Sequence, residues 1–225
     1  MHNIFFTSDT HFYHKNILKY SPMRLNGIGR TFEDYEADRT AITHQYSDFL
    51  IEKWNAQVTD DDDVYFLGDL AFIGKEKVDA LLNKLKGKIH LIKGNHDNVL
   101  RHFTDRFVEV KDLESLTFTN NQFKFISPEE PFKLILCHYP LLTWEGRTNG
   151  SCMVHGHCHG SIDEYNIQSN QLRVDIGLDG QLAHGELIDL LTLYQFFENK
   201  IKESGFSSFF DYAQNLSETS PIRKA

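Results

Sequence analysis

Residues 64–97 read VYFLGDLAFIGKEKVDALLNKLKGKIHLIKGNHD. Val64-Tyr65-Phe66-Leu67 is a short apolar, β-prone run that stops at Gly68-Asp69. From Lys75 to Lys86, Val78, Leu81, Leu82 and Leu85 recur at i, i+3, i+4 and i+7, one apolar stripe of a helix. Ile89 to Ile92 is a second β-prone run, and it stops at Gly94-Asn95-His96-Asp97. Strand, helix and strand in this order predict an α/β architecture with parallel elements. In open parallel sheets, ligands gather beyond the carboxyl ends of the strands. The two polar motifs are therefore expected on one rim.

The same grammar extends outward. Ile4-Phe5-Phe6-Thr7 reads as a buried strand leading to Asp9-Thr10-His11. Leu134-Ile135-Leu136 delivers Cys137-His138-Tyr139-Pro140, and Met153-Val154 delivers Gly156-His157-Cys158-His159. Thr31 to Trp54 reads as one long helix opened by a capping box of Thr31 and Asp34. Thr117 to Phe125 reads as a hairpin turning at Asn120-Asn121. Leu172 to Ile176 is a further strand, and Glu186 to Ile201 an apolar helix. After Ser204 the chain turns polar and Ser-rich. One domain over residues 1–203 is expected, with 204–225 as a loosely held polar tail that has room for one short helix, anchored by Phe206, Phe209 and Phe210. Asp60-Asp61-Asp62-Asp63 reads as a solvated loop, since it lacks the glycine and spacing of a calcium loop.

Composition narrows the function classes. The 225 residues are 40% hydrophobic with 18 Phe, enough for a sizeable core. The formal net charge of -9 argues against a non-specific nucleic-acid surface. An anionic substrate then needs a local positive centre, which divalent cations supply. The three cysteines, Cys137, Cys152 and Cys158, form no close-spaced framework and read as free thiols of a reducing compartment. With no apolar run of membrane length and no leader ahead of Asp9, a cytoplasmic location is expected.

The five motifs supply carboxylates, a carboxamide and several imidazoles. Such mixed oxygen and nitrogen donors suit a pair of divalent cations and metal-assisted attack on phosphorus. In an extended segment Asp9 and His11 point to one side, as do His157 and His159, while Cys158 faces away. Alone, Asp-x-His is a weak signal. Gly94-Asn95-His96-Asp97 is strong, and the ordered set is stronger still.

That ordered set resembles the calcineurin-like metallophosphoesterase superfamily, in its small bacterial and phage-type branch. The resemblance implies a four-layer α/β/β/α sandwich. It implies that Asp9, His11 and His159 hold one metal, that Asn95, His138 and His157 hold the other, and that Asp69 bridges both. A hydroxide bridging the metals would attack phosphorus in line, with His96 as general acid and Asp97 orienting its imidazole. Mn²⁺ is the first expectation, with Fe, Ni or Zn as alternatives. The substrate is expected to be a small phosphoester or nucleotide-like molecule, touched by Asn95 and by His14 and Arg147. His14 is equally readable as a cap for a helix starting near Lys15. The chain departs from the family's protein phosphatases, which extend Gly-Asp with Asp-Arg-Gly, whereas here Gly68-Asp69 runs into Leu70-Ala71-Phe72. His155 makes His-x-His-x-His, but no Asp-His follows as in metallo-β-lactamases. The rival readings are a nuclease and a non-catalytic scaffold on the same fold.

Overall fold

In Ile4–Thr7 (β1) successive side chains enter different cores, as a period of two requires. Phe5 packs with Trp54, Val64 and Phe66 under a helical layer, while Ile4 and Phe6 face a second sheet. The computed structural model describes residues 2–219. In chain order the remaining strands are β2 (Asp63–Phe66), β3 (Lys88–Ile92), β4 (Glu109–Lys111), β5 (Leu113–Phe118), β6 (Phe132–Cys137), β7 (Cys152–His155), β8 (Arg173–Asp175) and β9 (Ile188–Asp189). One sheet has the order β4-β3-β2-β1-β9, parallel except for β9. The other has the order β5-β6-β7-β8, parallel except for β5.

The alternation seen in β1 repeats in its neighbours. Tyr65 and Leu67 meet Leu134, Leu136 and Val154 between the sheets. On the far face of the second sheet, Ile135, Cys137 and Met153 pack on Trp144. Helices α1 (Ile17–Tyr20), α2 (Phe32–Ala37), α3 (Arg39–Gln57) and α4 (Lys75–Leu82) serve the first sheet. Helices α5 (Asp163–Gln168), α6 (Leu190–Glu203) and α7 (Phe209–Thr219) belong to the second half of the chain. The architecture is α/β, two parallel-rich sheets flanked by helices, as expected. No helix among the described residues is long and apolar enough to cross a membrane.

Several local expectations need correction. The long helix from Thr31 is two helices. The capping box forms, with the Asp34 amide donating to Thr31 Oγ1 at 3.1 Å and the Thr31 amide donating to Asp34 Oδ2 at 2.9 Å. Asp38 then breaks the helix and caps the next one by accepting from Ala41 N at 3.0 Å. The expected hairpin turn at Asn120 is a longer loop. β5 pairs with β6 instead, Phe118 opposite Phe132, and the Asn120 side chain closes the loop by donating to the Ile126 carbonyl at 2.7 Å. The apolar run from Glu186 begins as β9 on the edge of β1, and Asp189 caps α6 through Thr192 N at 2.8 Å. In the aspartate run, Asp62 is fully buried and accepts from Asn3 N, Thr59 N and Thr59 Oγ1. It ties the chain start to the entry of β2 rather than facing solvent.

The stretch expected as a loose tail contains α7. Phe209, Tyr212 and Ala213 are buried, and Phe209 rests on Phe132 with ring centroids 5.6 Å apart. Glu130 caps the helix start by accepting from the amides of Phe209 and Phe210, each at 2.8 Å. Residues 220–225 of the expected tail lie outside the described residues. Phe209→Ala should cost about 3–5 kcal/mol of unfolding free energy, the scale for truncating a buried Phe. A denaturant midpoint unmoved by this change would show that α7 contributes nothing to the core.

Candidate metal centre

Asp9, His11, Asp69, His157 and His159 all have positive φ, between 48° and 68°. Their segments are therefore not extended, and the expected alternation of side chains does not hold. Asp and His tolerate the left-handed region better than most residues, at a cost in strain. The turns are fixed by main-chain bonds. Asp9 N donates to the Gly68 carbonyl at 3.0 Å, His11 N to the Asp69 carbonyl at 3.0 Å, and Gly156 N to the His138 carbonyl at 3.0 Å. Gly156 has no room for a side chain: a Cβ there would overlap Ser8 Oγ and Asp9 Oδ2. Gly68, at φ 93°, is in the same position against the Gly94 backbone.

These turns bring lone pairs together. His138 Nδ1 faces the Leu67 carbonyl at 2.7 Å and must donate to it. Its Nε2 then points inward, 3.0 Å from Asn95 Oδ1 and 3.7 Å from Asp69 Oδ2. His159 Nδ1 faces Asp179 Oδ2 at 2.6 Å and donates there. Its Nε2 lies 3.1 Å from His11 Nε2 and 3.8 Å from Asp9 Oδ1. His11 Nε2 is in turn 3.7 Å from Asp9 Oδ1 and 3.8 Å from Asp69 Oδ2. Asp9 Oδ1 and His11 Nδ1 are buried without a hydrogen-bond partner. Something positive has to sit among these atoms, either protons or cations. Cations bound at about 2.0–2.2 Å hold their donor atoms roughly 3–4 Å apart, the spacing observed here. The residues fit divalent metal ions. Asp9, His11 and His159 form one close group, and Asp9, Asp69 and His138 another.

Burial sets the electrostatics. It pushes the Asp9 carboxyl up to about 6, against the pull of His159 and His138. It drives His11 down to about 2, helped by the nearby Arg24. Burial is the largest influence on His159 and Asp179 and acts against their charged forms, but their mutual hydrogen bond together with the Asp9 charge raises the imidazole's pKa, and the same bond together with Arg24 lowers the carboxyl's. Arg24 completes that relay. Its guanidinium donates to both Asp179 oxygens at 2.7–2.8 Å and to the Asp9 and Thr10 carbonyls at 2.8 and 3.1 Å.

A model of the calcineurin-like phosphoesterase family matches residues 2–208. The chain belongs to that family. The chain is similar to an uncharacterized protein of Methanocaldococcus jannaschii, 34% identical over 168 residues, 73% of this chain and 74% of that one. It is also similar to the gene 66 proteins of Mycobacterium phages D29 and L5. Each is 26% identical, over 80% and 85% of this chain and 89% and 95% of theirs. A crystal structure of a protein of unknown function from Aquifex aeolicus shares the fold, with TM-score 0.57 and 18% identity over 87% of this chain and all of that one. Membership supports metal-dependent phosphoester hydrolysis in general.

Against this calcineurin-like frame, the remaining candidates divide. His157 reaches the centre through its backbone, donating to Asp9 Oδ2 at 2.9 Å. Its ring stands edge-on to His138, centroids 5.1 Å apart, outside both close groups. His96 is half-exposed at the rim, its amide donating to Asp69 Oδ1 at 2.8 Å and its Nε2 4.0 Å from Asp69 Oδ2. Asp97 does not orient the His96 ring. Its carboxylate accepts from the amides of Gly94, Asp69 and Leu70 at 2.7, 2.8 and 3.0 Å, clamping the ends of β2 and β3 together. His14 stacks on Phe72 at 3.8 Å and lines a cleft of about 560 Å³ with His11, His96 and His159, so it faces the site and is not a helix cap. Arg147 lies elsewhere. Its short 3-10 turn Arg147–Asn149 precedes β7 and packs on α7, next to Glu145, which pairs with Lys133 at the start of β6. That is the opposite end of the sheet from His138, because the β6–β7 connection crosses the whole sheet. His155 is buried and bonded to Asn166 Nδ2 and the Gly156 carbonyl. Cys158 is partly buried, beside His155 and Asp175, and burial pushes its thiol up to about 11, which keeps it protonated.

Arg24 and Asp179 were missed by sequence reasoning. Asp179 carried a usable signal. Gly177-Leu178-Asp179-Gly180 follows β8 just as Gly68-Asp69 follows β2. Arg24 carried none, since it sits in the short 3-10 helix Pro22–Ile28 with no motif around it.

Two outcomes test this geometry. Asp97→Ala strands buried amides and should cost about 1–3 kcal/mol of stability, whereas His96→Ala should leave the denaturant midpoint nearly unchanged. In the metal-free protein Asp9 is about half protonated near pH 6, so a cation must displace that proton at pH 6 but not at pH 8. Calorimetric titration with Mn²⁺ in buffers of different ionisation enthalpy should show more proton release at pH 6; equal release at both values would contradict the buried Asp9.

Proposed function

We propose that this chain hydrolyses small phosphoesters, nucleotide-like ones included, at a centre of two divalent cations. The observation that supports it most is the setting of Asp69. One of its carboxylate oxygens lies 3.7–4.0 Å from the Nε2 atoms of His11, His138 and His96. A single oxygen between two donor groups suits a bridging ligand. On this reading Asp9, His11 and His159 serve one cation, and Asn95 and His138 the other, with His157 completing its shell. When bound, the cations supply Lewis acidity toward the phosphoryl group and the attacking water. Mn²⁺ suits this mix of carboxylate, carboxamide and imidazole, and Fe, Ni or Zn are the alternatives. Zinc's preferred thiolate is not offered by Cys158.

The chain's own groups do the rest. The Leu67 carbonyl and Asp179 hold the imidazoles of His138 and His159 with their free nitrogens inward. Asp97 fixes the backbone that carries Asp69 and Asn95. Water forms the new bond to phosphorus as the ester oxygen leaves. On this reading His96, at the rim and lining the cleft, protonates that oxygen. Phe72 and His14 wall the cleft on the same side. The location is proposed as cytoplasmic, where the three thiols stay reduced.

The direct test is a Mn²⁺-supplemented panel of mono-, di- and cyclic phosphoesters, with plasmid and single-stranded DNA alongside. Turnover of a small ester and none of DNA is expected; metal-loaded protein inert on every small ester would end the proposal. Asp69→Ala should lose both metal, by elemental analysis, and turnover. His96→Ala should keep metal and lose about 10²-fold or more in kcat on esters with alkyl leaving groups, with a smaller loss for nitrophenyl leaving groups. Equal losses for both kinds would assign His96 to something other than acid catalysis.

A further inference from the structure

We infer that the groove between α3 and α4 is a second-phosphate subsite, so that the preferred substrate is a nucleotide carrying a phosphate beyond the one cleaved. This rests on the proposed phosphoesterase reading. The groove, about 470 Å³, opens beside the metal centre, and Phe72 lines both. Phe72 has ring contacts with His14 at 3.8 Å and His96 at 4.7 Å, so a ligand leaving the centre passes along it. Tyr13, two residues from His11, lines the groove on the other side. Its amide donates to Ser47 Oγ of α3 at 2.9 Å, and its ring meets His44 edge-on, centroids 5.1 Å apart. Tyr13, His44 and Phe72 thus line the groove, and Phe72 is the wall it shares with the cleft at the metal centre.

The charges in this groove are the second observation. Lys15, Lys77 and Lys84 line it, against a single carboxylate, Asp48, which lies 3.8 Å from Lys84. Lys15 and Lys77 are exposed and form no ion pair among the described residues. Uncommitted lysines are ordinary on a basic protein. On a chain of net charge -9, two of them flanking aromatic rings at the mouth of an anion-handling centre are better matched to a ligand. Rings stack on a base of any sequence, and ammonium groups take a phosphate as point charges. The scissile phosphoryl would sit at Asp69, the ribose against Phe72, and the second phosphate, carried on the same ribose, between Lys15 and Lys77, with the base toward Tyr13.

The test compares adenosine 3′,5′-bisphosphate with adenosine monophosphate on Mn²⁺-loaded wild type and on the Lys15→Gln/Lys77→Gln double variant. Exposed substitutions of this kind leave folding nearly unchanged, which thermal unfolding checks. Wild type should favour the bisphosphate by about tenfold or more in kcat/KM, carried by KM, the scale of a charge-assisted phosphate contact. In the double variant the ratio should fall to about one. A wild-type ratio near one, or a ratio that survives the double substitution, overturns the subsite. If neither nucleotide is hydrolysed, the phosphoesterase reading has failed for them, and equilibrium binding of the same two probes reads the subsite alone. Equal affinity for both in wild type then overturns it.

Discussion

A carboxylate buried where two sheets meet cannot stay bare, and Asp9 is that carboxylate. Its backbone amide is bound to the end of β2, and its carbonyl to Arg24. Its Oδ2 accepts from the loop after β7, in the other sheet. Only Oδ1 is left, fully buried and without a partner. The fold therefore spends its best-anchored residue on one desolvated oxygen aimed at the rim. Burial raises its pKa to about 6, so without a cation the neutral form competes at mildly acidic pH. A divalent ion removes that conflict, because it replaces the missing donor and the missing positive charge together.

The rest of the rim follows from crowding around this point. Left-handed turns at five acidic and imidazole residues fold their side chains back toward the strand ends. Such turns persist only where the surroundings over-determine them. Here the surroundings are carboxylates that bind backbone. Asp97 takes three amides, Asp175 accepts from Gly160 and Gly177, and Asp179 joins His159 to Arg24. These acidic groups do not themselves face the reacting centre. They convert irregular loops into a fixed frame, and Asp179 holds the His159 imidazole in the tautomer that leaves its inner nitrogen free, as the Leu67 carbonyl does for His138.

The sequence made the fold class readable because its signals are local. A short β-prone run leading into a polar motif marks a strand and its rim, and this held at residues 64–69, 89–95, 134–138 and 153–157. That Asp9, His11, Asp69, Asn95, His138 and His159 gather at one rim was readable for the same reason. What failed was anything decided across space. Asp97 looked like a partner for its neighbour His96, yet its oxygens are taken by amides 27 and 28 residues away as well as by Gly94. Arg147 looked near His138 by nine positions, yet the connection carries it to the other end of the sheet. Phe209 looked like a stray anchor, yet it is buried against Phe132 of β6, 77 positions earlier. Asn120-Asn121 looked like a tight turn, but the Asn120 side chain reached a carbonyl that no local rule identifies.

An acidic protein handling an anionic substrate has to solve attraction locally. With a net charge of -9, the average field repels phosphate. Around the rim, Asp9, Asp69, Asp97, Asp175 and Asp179 add to that repulsion unless they are answered. Arg24 answers Asp179, backbone amides answer Asp97 and Asp175, and Asp9 and Asp69 remain for the cations. On the proposed reading, two divalent ions against these two carboxylates would leave a surplus of two positive charges beside buried side chains, where Coulomb forces are screened less than in bulk water. The surplus acts over a short range, because screening at physiological salt falls off within about 8 Å. A small ester can place its phosphoryl group inside that range, whereas a long polyanion would lie mostly on repelling surface. By the same range, the lysines on the α3–α4 side would act only on a group held close to them, so the proposed preference for a doubly charged substrate needs no general basic surface.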